Sequence, residues 1–391
     1  MKLDLLIFGG GIAGLWTLLR ARAAGHSALL LELRALGGVQ SIASQGIIHG
    51  GTKYALGGRL SEAARAIGEM PGRWRACLAG RGELDLTGVR LLSSHQYLWS
   101  PGGVASALAG FFASRAMRSR VTQVSAGELP PPFDDPGFRG RLYRLDEPVL
   151  DTASLLGELA RQARAWCRRY DPATLVAGRN GIEVEGVALQ PRRILLAAGA
   201  GNEALLRTFG RSAPAMQRRP LHMVMARGPL PQLFAHALAA SSNPRITVTS
   251  YPCSLRSGAG AADSPSETVW YLGGELAEKG VGRSREAQIE AARRELGVLL
   301  PWLDLNRLRW STLRIDRAEV ATADGSRPDG PFVGTDGDLL VTWPTKLAFA
   351  PRVADQVLEA LGGPEHGGIE VATGLPAPPL ATLPWEETTW S

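Results

Sequence analysis

Asp4-Leu-Leu-Ile-Phe8 runs directly into Gly9-Gly-Gly-Ile-Ala-Gly14 and then into Leu15-Trp-Thr-Leu-Leu-Arg-Ala-Arg-Ala-Ala24. The first segment is apolar and lacks a helical period, the second is rich in glycine, and the third consists of good helix formers. This order predicts a strand, a tight turn and a helix. A second apolar strand, Ala28 to Leu31, ends at Glu32, twenty-three residues after Gly9.

The glycine spacing is that of a dinucleotide-binding turn. Gly9 permits the tight turn, Gly11 has no side chain to block a diphosphate, and Gly14 lets the helix lie close to the strand. The N–H groups at the helix start and the helix dipole favour an anion there. Glu32 is placed to accept hydrogen bonds from a ribose and disfavours a 2′-phosphate. The predicted cofactor contacts in this segment are Gly9, Gly11, Ile12, Ala13, Gly14, Glu32, Leu33 and Arg34.

Composition bounds the class of protein. A chain of 391 residues, 45% of them hydrophobic, is long enough for two domains with substantial cores. The net charge of +6 is modest and no nucleic-acid recognition module accompanies it, so nucleic acid is not a predicted partner. The charge is compatible with a small anionic substrate or contact with an anionic membrane surface.

The three cysteines, Cys77, Cys167 and Cys253, are far apart and include no Cys-x-x-Cys pair. This spacing excludes a dithiol redox centre and a cysteine-rich zinc site, and no metal ligand is predicted. No apolar run reaches the length of a membrane span, and Asp4 lies where a signal peptide would be apolar. The prediction is therefore a cytoplasmic protein, with peripheral contact at the inner membrane left open.

A loop rich in glycine and serine follows the second strand and contains Ser44-x-Gly46-Ile-Ile-His-Gly-Gly-Thr-Lys-Tyr54. It resembles the flavin-facing loop of the D-amino-acid oxidase superfamily, of the glutathione reductase-2 type. Within it, the segment is most similar to FAD-dependent glycerol-3-phosphate dehydrogenases, which have His-Gly-Gly-x-Arg-Tyr here, and to 2-hydroxyglutarate dehydrogenases. Lys53 replaces the arginine, which keeps the charge but loses the bidentate fork. The resemblance implies FAD contacts at Ser44, Gln45 and Gly46.

Two later segments resemble the other FAD segments of that superfamily. Arg193-Ile-Leu-Leu-Ala-Ala-Gly-Ala-Gly201 is a buried strand ending in small residues, and Leu347 to Leu361 is predicted to be a helix that directs its N-terminus at the flavin. The implied contacts are Thr174, Leu175, Ala198, Gly199, Thr345, Lys346 and Leu347. An alternative for Gly199-Ala-Gly201-Asn-Glu-Ala204 is a second dinucleotide site for NADPH, with Arg218 and Arg219 holding the 2′-phosphate.

The resemblance implies an α/β fold, with a Rossmann-like FAD-binding domain and a substrate domain made of a mostly antiparallel sheet plus a helix. The FAD-binding domain is predicted to be discontinuous, formed by residues 1–80, 148–215 and 325–391, and the substrate domain by 81–147 and 216–324. A helix is predicted from Ala153 to Tyr170, capped by Asp151 or Thr152. Strands are predicted at His222 to Ala226, Arg245 to Tyr251 and Thr268 to Leu272, followed by a helix at Ser284 to Leu300.

The implied function is an FAD-dependent dehydrogenase or oxidase that transfers a hydride from a small anionic hydroxy or amino substrate to flavin N5. His49 is predicted as acid, base or orienter, with a structural role or covalent flavin attachment as alternatives. Arg314 and Lys346 are predicted to bind the substrate anion, Lys53 and Arg327 to assist, and Tyr251 to contribute more weakly. The electron acceptor is oxygen or quinone. The second hypothesis is an electron-transfer subunit without its own small-molecule substrate.

Overall fold

The computed structural model of the chain describes residues 1–51, 62–100, 121–178, 181–238, 243–253, 267–367 and 374–391. Lys53 lies outside the described residues, so its predicted role stays a prediction. The helices are α1 (Ile12–Ala23), α2 (Glu62–Leu78), α3 (Thr152–Ala163), α4 (Asn202–Thr208), α5 (Glu275–Lys279), α6 (Arg285–Leu299) and α7 (Ala350–Leu361).

The strands of the first sheet are β1 (Lys2–Phe8), β2 (Ala28–Glu32), β8 (Cys167–Arg169), β9 (Val176–Gly178), β10 (Gly181–Val184), β11 (Val187–Leu196), β17 (Phe332–Asp336) and β18 (Leu339–Trp343). The remaining strands are β3 (Leu91–Ser93), β4 (Gln96–Ser100), β5 (Val121–Gln123), β6 (Arg141–Leu145), β7 (Val149–Leu150), β12 (Met216–Gly228), β13 (Ala235–Ala237), β14 (Ile246–Pro252), β15 (Thr268–Gly273) and β16 (Arg309–Val320).

The first sheet has the strand order β17-β18-β11-β1-β2-β8, and β1 pairs in parallel with both β2 and β11. Apart from Lys2, every residue of β1 is buried, as expected for a central parallel strand covered on both faces. The core on one face brings together α1, α2, α3 and α7, with Trp16 and Trp74 in contact at a ring separation of 4.6 Å. The Rossmann-like α/β domain predicted from the N-terminal motif is confirmed.

The helix predicted from Ala153 to Tyr170 is right at its start and wrong at its end. Asp151 is the cap, because its carboxylate accepts the N–H groups of Ala153 and Ser154. The helix ends at Ala163, and Cys167–Arg169 instead forms β8, which pairs in parallel with β2. Sheet pairing supplies these residues with hydrogen-bond partners, so tertiary context overrides their helical propensity.

The second sheet has the strand order β16-β12-β15-β14-β13-β4-β6-β5 and is antiparallel except where β13 pairs with β4. Its two faces contact different cores. Met223, Met225 and Tyr271 pack toward the first domain, whereas Val224 and Trp270 belong to the core that contains α6. The mostly antiparallel sheet and its helix were predicted, and Ser284 caps α6 through the N–H of Ala287.

The strands of the first sheet come from residues 2–32, 167–196 and 332–343, and those of the second from 96–145 and 216–320. The C-terminal segment reaches the second sheet, since Ser391 exchanges two backbone hydrogen bonds with Trp310 of β16. The domain boundaries stay a prediction. Within the described residues, the structure has no helix that is both long and apolar enough to span a bilayer.

A fully buried carboxylate fixes the start of β1. Asp4 accepts hydrogen bonds from the backbone and hydroxyl of Ser27 and from the N–H of Glu365. Burial alone would raise its pKa, but these hydrogen bonds and Arg192 outweigh burial and lower the pKa below its ordinary value. The ionised group therefore joins β1 to the turn before β2 and to the segment after α7.

Asp4→Asn is expected to lower the free energy of unfolding by about 1–3 kcal/mol at neutral pH, the contribution of a charged hydrogen bond. Because the folded pKa is lowered, the stabilisation is present above the unfolded pKa and is lost as pH falls through the folded pKa. Urea unfolding at several pH values measures the difference, with exposed Asp134→Asn as the matched control. A difference that persists unchanged in acid would contradict this account.

Candidate active site

The three glycines of the N-terminal turn meet different surroundings. A Cβ on Gly9 would lie 2.5 Å from the Cα of Ala198, and one on Gly14 would lie 2.0 Å from the carbonyl oxygen of Gly9. Gly9 also has a φ of +109°. A Cβ on Gly11 would contact only the Ser41 hydroxyl, at 3.2 Å. Protein packing therefore requires Gly9 and Gly14, whereas Gly11 borders space that a ligand can enter.

The N-terminus of α1 begins beside this space. Gly11 is the N-cap residue and supplies no side chain, and the N–H of Ile12 instead donates to the hydroxyl of Ser41, at 3.0 Å. The hydroxyl of Ser44, in the same loop, is buried and has no hydrogen-bond partner. A helix N-terminus and an unsatisfied hydroxyl are both groups that an anionic or polar ligand can satisfy.

Glu32 closes the other side of the turn. Its carboxylate accepts the N–H of Gly10, at 2.6 Å, and the N–H of Arg34, at 2.8 Å. Leu33 and Arg34 continue from it with exposed side chains. The acid predicted to bind a ribose thus lies at the carboxyl end of β2, beside the glycine turn.

Two further segments, around Thr174 and around Gly199, were predicted to contact the cofactor. Thr174 ends a short 3₁₀ turn, its hydroxyl donating to the carbonyl of Asp171, and Leu175 separates this turn from β9. The N–H of Ala198 donates to Asn202, and Gly199 has a φ of +58°. Because α4 leads into the second sheet, no βαβ unit surrounds Gly199, so a separate NADPH site lacks its usual framework.

The closing segment turns sharply into α7. Thr345 has a φ of +58°, and Lys346 precedes a 3₁₀ turn, Leu347–Phe349, that continues into the helix. The predicted helix from Leu347 to Leu361 is confirmed, with a first turn that is tighter than an α-helix. Trp74 fixes this turn by donating to the carbonyl of Ala348, at 3.0 Å.

Gln45 joins the glycine- and serine-rich loop, residues 37–51, to the second sheet. Its amide donates to the carbonyl of Tyr271 at 2.9 Å and lies 3.4 Å from the carbonyl of Thr247 and the hydroxyl of Thr249. The Tyr271 hydroxyl donates in return to the carbonyl of Ala43, at 3.1 Å. Directed hydrogen bonds therefore hold the loop against the middle of the second sheet.

His49 lies in a polar cluster, which we call the His49 cluster: His49, Glu147 and His236. His49 comes from the glycine- and serine-rich loop, Glu147 from the segment between β6 and β7, and His236 from β13 of the second sheet. Nδ1 of His49 lies 3.4 Å from a carboxylate oxygen of Glu147. The ring of His236, on β13, is nearly parallel to that of His49, with centroids 6.0 Å apart. Glu147 also accepts the N–H of Gly50, at 2.8 Å, so the loop backbone fixes its orientation.

Two arginines that were predicted to bind the substrate lie elsewhere, Arg314 and Arg327. Arg314 donates to the carbonyls of Val281 and Arg283. Its side chain lies on the face of the second sheet that packs against α6, whereas the side chains of Leu313 and Ile315 pack toward the first domain. Arg327 is half-buried. The pKa of Arg317 is lowered chiefly by burial and by Arg219, and Arg327 is close enough to lower it further. The structure does not bring these arginines to the His49 cluster, and their roles stay predictions.

Tyr251 packs against Trp385 of the C-terminal segment, with ring centroids 4.3 Å apart. Its hydroxyl is buried, and burial raises its pKa. It lines a cavity of about 370 Å³ together with Cys253 and Trp390. Burial also raises the pKa of the thiols, that of Cys167 to about 12, so the three cysteines are protonated at neutral pH.

Comparison with known proteins identifies the family. The family model described as "FAD dependent oxidoreductase" matches residues 4–385. The chain belongs to this family. A relative in Pseudomonas aeruginosa, described as a probable FAD-dependent oxidoreductase, is 52% identical over 398 residues, which cover 99% of this chain and 98% of the relative. Glycerol-3-phosphate dehydrogenase 1 of Mycobacterium tuberculosis is 28% identical over 241 residues, 56% of this chain and 44% of that enzyme.

Solved structures show the same fold for this FAD-dependent oxidoreductase. The crystal structure of the Pseudomonas aeruginosa oxidoreductase covers 99% of this chain and 98% of its own, with a TM-score of 0.82 and 46% identity. Glycine oxidase from Geobacillus kaustophilus covers 94% and 96%, with a TM-score of 0.65 and 16% identity. L-α-glycerophosphate oxidase from Mycoplasma pneumoniae, solved with FAD bound, covers 95% and 100%, with a TM-score of 0.64 and 13% identity.

The residues of this oxidoreductase fit FAD. The open space at Gly11, the N-terminus of α1 and the unsatisfied hydroxyl of Ser44 all match a dinucleotide that crosses the turn and continues along the loop. The prediction of an FAD cofactor is confirmed by the family. Four residues of this region were not predicted from the sequence: Ser41, Asn202, Glu147 and His236. Ser41 lies in the glycine- and serine-rich loop, where a serine facing the glycine turn is a local signal, and Asn202 lies in the segment predicted as an alternative NADPH site. Glu147 and His236 lie in no predicted motif.

Proposed function

We propose that this FAD-dependent oxidoreductase oxidises a small anionic substrate that carries a hydroxyl or amino group. The observation that carries the proposal is the His49 cluster, which unites a loop of the cofactor domain with β13 of the second sheet. Polar groups from two domains that converge beside a cofactor are the usual arrangement of a substrate cleft. The predicted net charge and the cationic candidates favour an anion.

The protein's part in the reaction is to hold two reactants in place. Gly11, Ile12, Glu32 and Ser44 are proposed to bind FAD, which would supply the redox chemistry as the acceptor of a hydride. Gln45 keeps the loop against the second sheet, so the space between them has a fixed depth. His49, held by Glu147, is proposed to orient the hydroxyl or amine and its proton. Lys346, at the end of the closing segment, is proposed to bind the substrate anion.

The two substrate classes have different support among the relatives. The name glycerol-3-phosphate dehydrogenase describes a hydroxyl substrate, and the name glycine oxidase describes an amine. Both classes need an anion-binding group and an orienting group, and this chain offers candidates for both. The proposed electron acceptor is oxygen or a quinone.

The deciding experiment is reduction of the FAD-loaded protein under anaerobic conditions by panels of amino acids, 2-hydroxy acids and polyol phosphates. Bleaching of the yellow flavin band by one class is expected, and stopped-flow measurement then gives its rate. If no small molecule bleaches the flavin while a protein donor or acceptor exchanges electrons with it, the electron-transfer subunit is the correct function. Yellow colour that remains with acid-precipitated protein would show covalent attachment.

His49→Ala is expected to lower the rate of flavin reduction by about 10- to 100-fold, because the reacting group loses its orientation. FAD content should be unchanged, since His49 is not among the groups proposed to bind the diphosphate. Single-turnover reduction by the best substrate of the panel measures the effect, and His366→Ala, a half-buried histidine outside the cluster, is the matched control. Equal rates for both variants would remove His49 from the site.

A further inference from the structure

The His49 cluster contains the donor set of a transition-metal site. Its ligand atoms, one from each of His49, Glu147 and His236, all lie within 4.8 Å of one another. Two imidazoles and one carboxylate form a recurring set for divalent zinc and iron. The sequence did not indicate a metal, because the three residues come from distant parts of the chain and show no ligand spacing.

The separations between the ligand atoms of the cluster are close to those found between ligands of a single bound ion. Atoms that share one first-row ion at about 2.0–2.2 Å lie about 3–4 Å from each other. The His49–Glu147 separation of 3.4 Å is already in that range. Since no pair of ligand atoms is more than 4.8 Å apart, binding one ion requires an approach of at most about 1–2 Å. The side chain of His49 can supply this movement because 23% of it is exposed.

Residues around the cluster orient its donors as outer-shell groups do in metal sites. Nδ1 of His236 is hydrogen-bonded to the hydroxyl of Thr247, at 2.8 Å, so a metal would be bound through Nε2. Glu147 is held by the N–H of Gly50 and approached by the Gln96 amide at 3.4 Å. His236 and Glu147 are buried, whereas His49 is partly exposed, so an ion could enter on the side of His49.

We propose that the His49 cluster binds one divalent first-row cation, with Zn²⁺ as the representative ion. Three protein ligands leave at least one coordination position open, as in catalytic zinc sites. Within the proposed function, on which this use of the site rests, the open position takes a carboxylate, hydroxyl or amine of the substrate. The metal is then the means by which His49 orients the reacting group.

Metal binding is measured on the FAD-loaded protein, after chelator treatment and dialysis, by calorimetric titration with zinc chloride. One Zn²⁺ per chain is expected for the wild type. His236→Ala and Glu147→Gln should each weaken binding at least tenfold, and Thr247→Val should weaken it less. His366→Ala should bind zinc as the wild type does. Flavin absorbance and circular dichroism verify that each variant is folded.

The two proposals fail in different ways. A wild type that binds no zinc, or a zinc affinity that is unchanged in Glu147→Gln and His236→Ala, would overturn the metal site and leave the substrate screen unaffected. Glu147→Gln retains an oxygen for the Gly50 N–H, so it carries the test if His236→Ala loses its FAD. Zinc binding with the expected variant pattern, in a protein whose flavin no substrate reduces, would support the metal site and reject the proposed function.

Discussion

Gly11→Asp is expected to abolish FAD binding while leaving the fold intact. The new Cβ would meet only the hydroxyl of Ser41, so the side chain has room in the protein. Its carboxylate, however, would occupy the space proposed for the diphosphate and repel it at the N-terminus of α1. The lost helix-terminus contacts and the added repulsion together should weaken FAD binding by about a thousandfold or more.

The measurement is FAD titration of deflavinated protein, followed by protein fluorescence, with thermal unfolding of the apoprotein alongside it. Gly127→Asp is the matched control, because Gly127 is exposed and a Cβ there has no neighbour within 4 Å. Retention of yellow flavin by Gly11→Asp would show that the diphosphate does not cross this turn. A collapse of the apoprotein would instead show that Gly11 is needed for folding.

Trp385→Ala is expected to give the largest loss of stability, about 3–5 kcal/mol for a buried tryptophan in an aromatic cluster. Trp385 is only 8% exposed and packs against Tyr251 and Tyr271. Since the Tyr271 hydroxyl donates to Ala43 in the glycine- and serine-rich loop, which is proposed to bind FAD, a disturbed Tyr271 should also weaken FAD binding.

Thermal unfolding and FAD titration measure the two effects. Trp390→Ala is the control from the same segment, since Trp390 is half-exposed and its ring lies 5.9 Å from the guanidinium of Arg227, an interaction expected to contribute about 0.5–1 kcal/mol. Equal losses in both variants would mean that the segment as a whole, and not the buried ring, provides the stability.

Short-range patterns predicted the fold well. The glycine turn, Glu32 at the end of β2 and the Asp151 cap each depend on residues within one strand, turn or helix, and the structure has all three. The predicted end of this helix, at Tyr170, was wrong because β8 pairs with a strand more than a hundred residues earlier in the chain. Helical propensity carries no information about such a partner.

The candidate site was predictable only where it was local. His49 lies in a recognisable loop, but its partners Glu147 and His236 come from a turn and a strand that sequence alone does not bring together. For Arg314, the sequence predicted a strand but did not show on which face of that strand the side chain lies. Buried residues occur on both faces of β16, with Trp310 in one core and Ile315 in the other, so its sequence does not alternate clearly enough to show which side chains point to the first domain.

The amide of Gln45 has a consequence for how the enzyme admits its substrate. Because it ties the glycine- and serine-rich loop to the carbonyl of Tyr271 by a hydrogen bond of 2.9 Å, the two domains cannot separate at this point without losing a partly buried polar contact. A hinge that opened here would be costly, so we expect free and ligand-bound crystals to superimpose closely around β14 and β15. Selectivity would then come from a chamber whose dimensions are set during folding, before any ligand arrives.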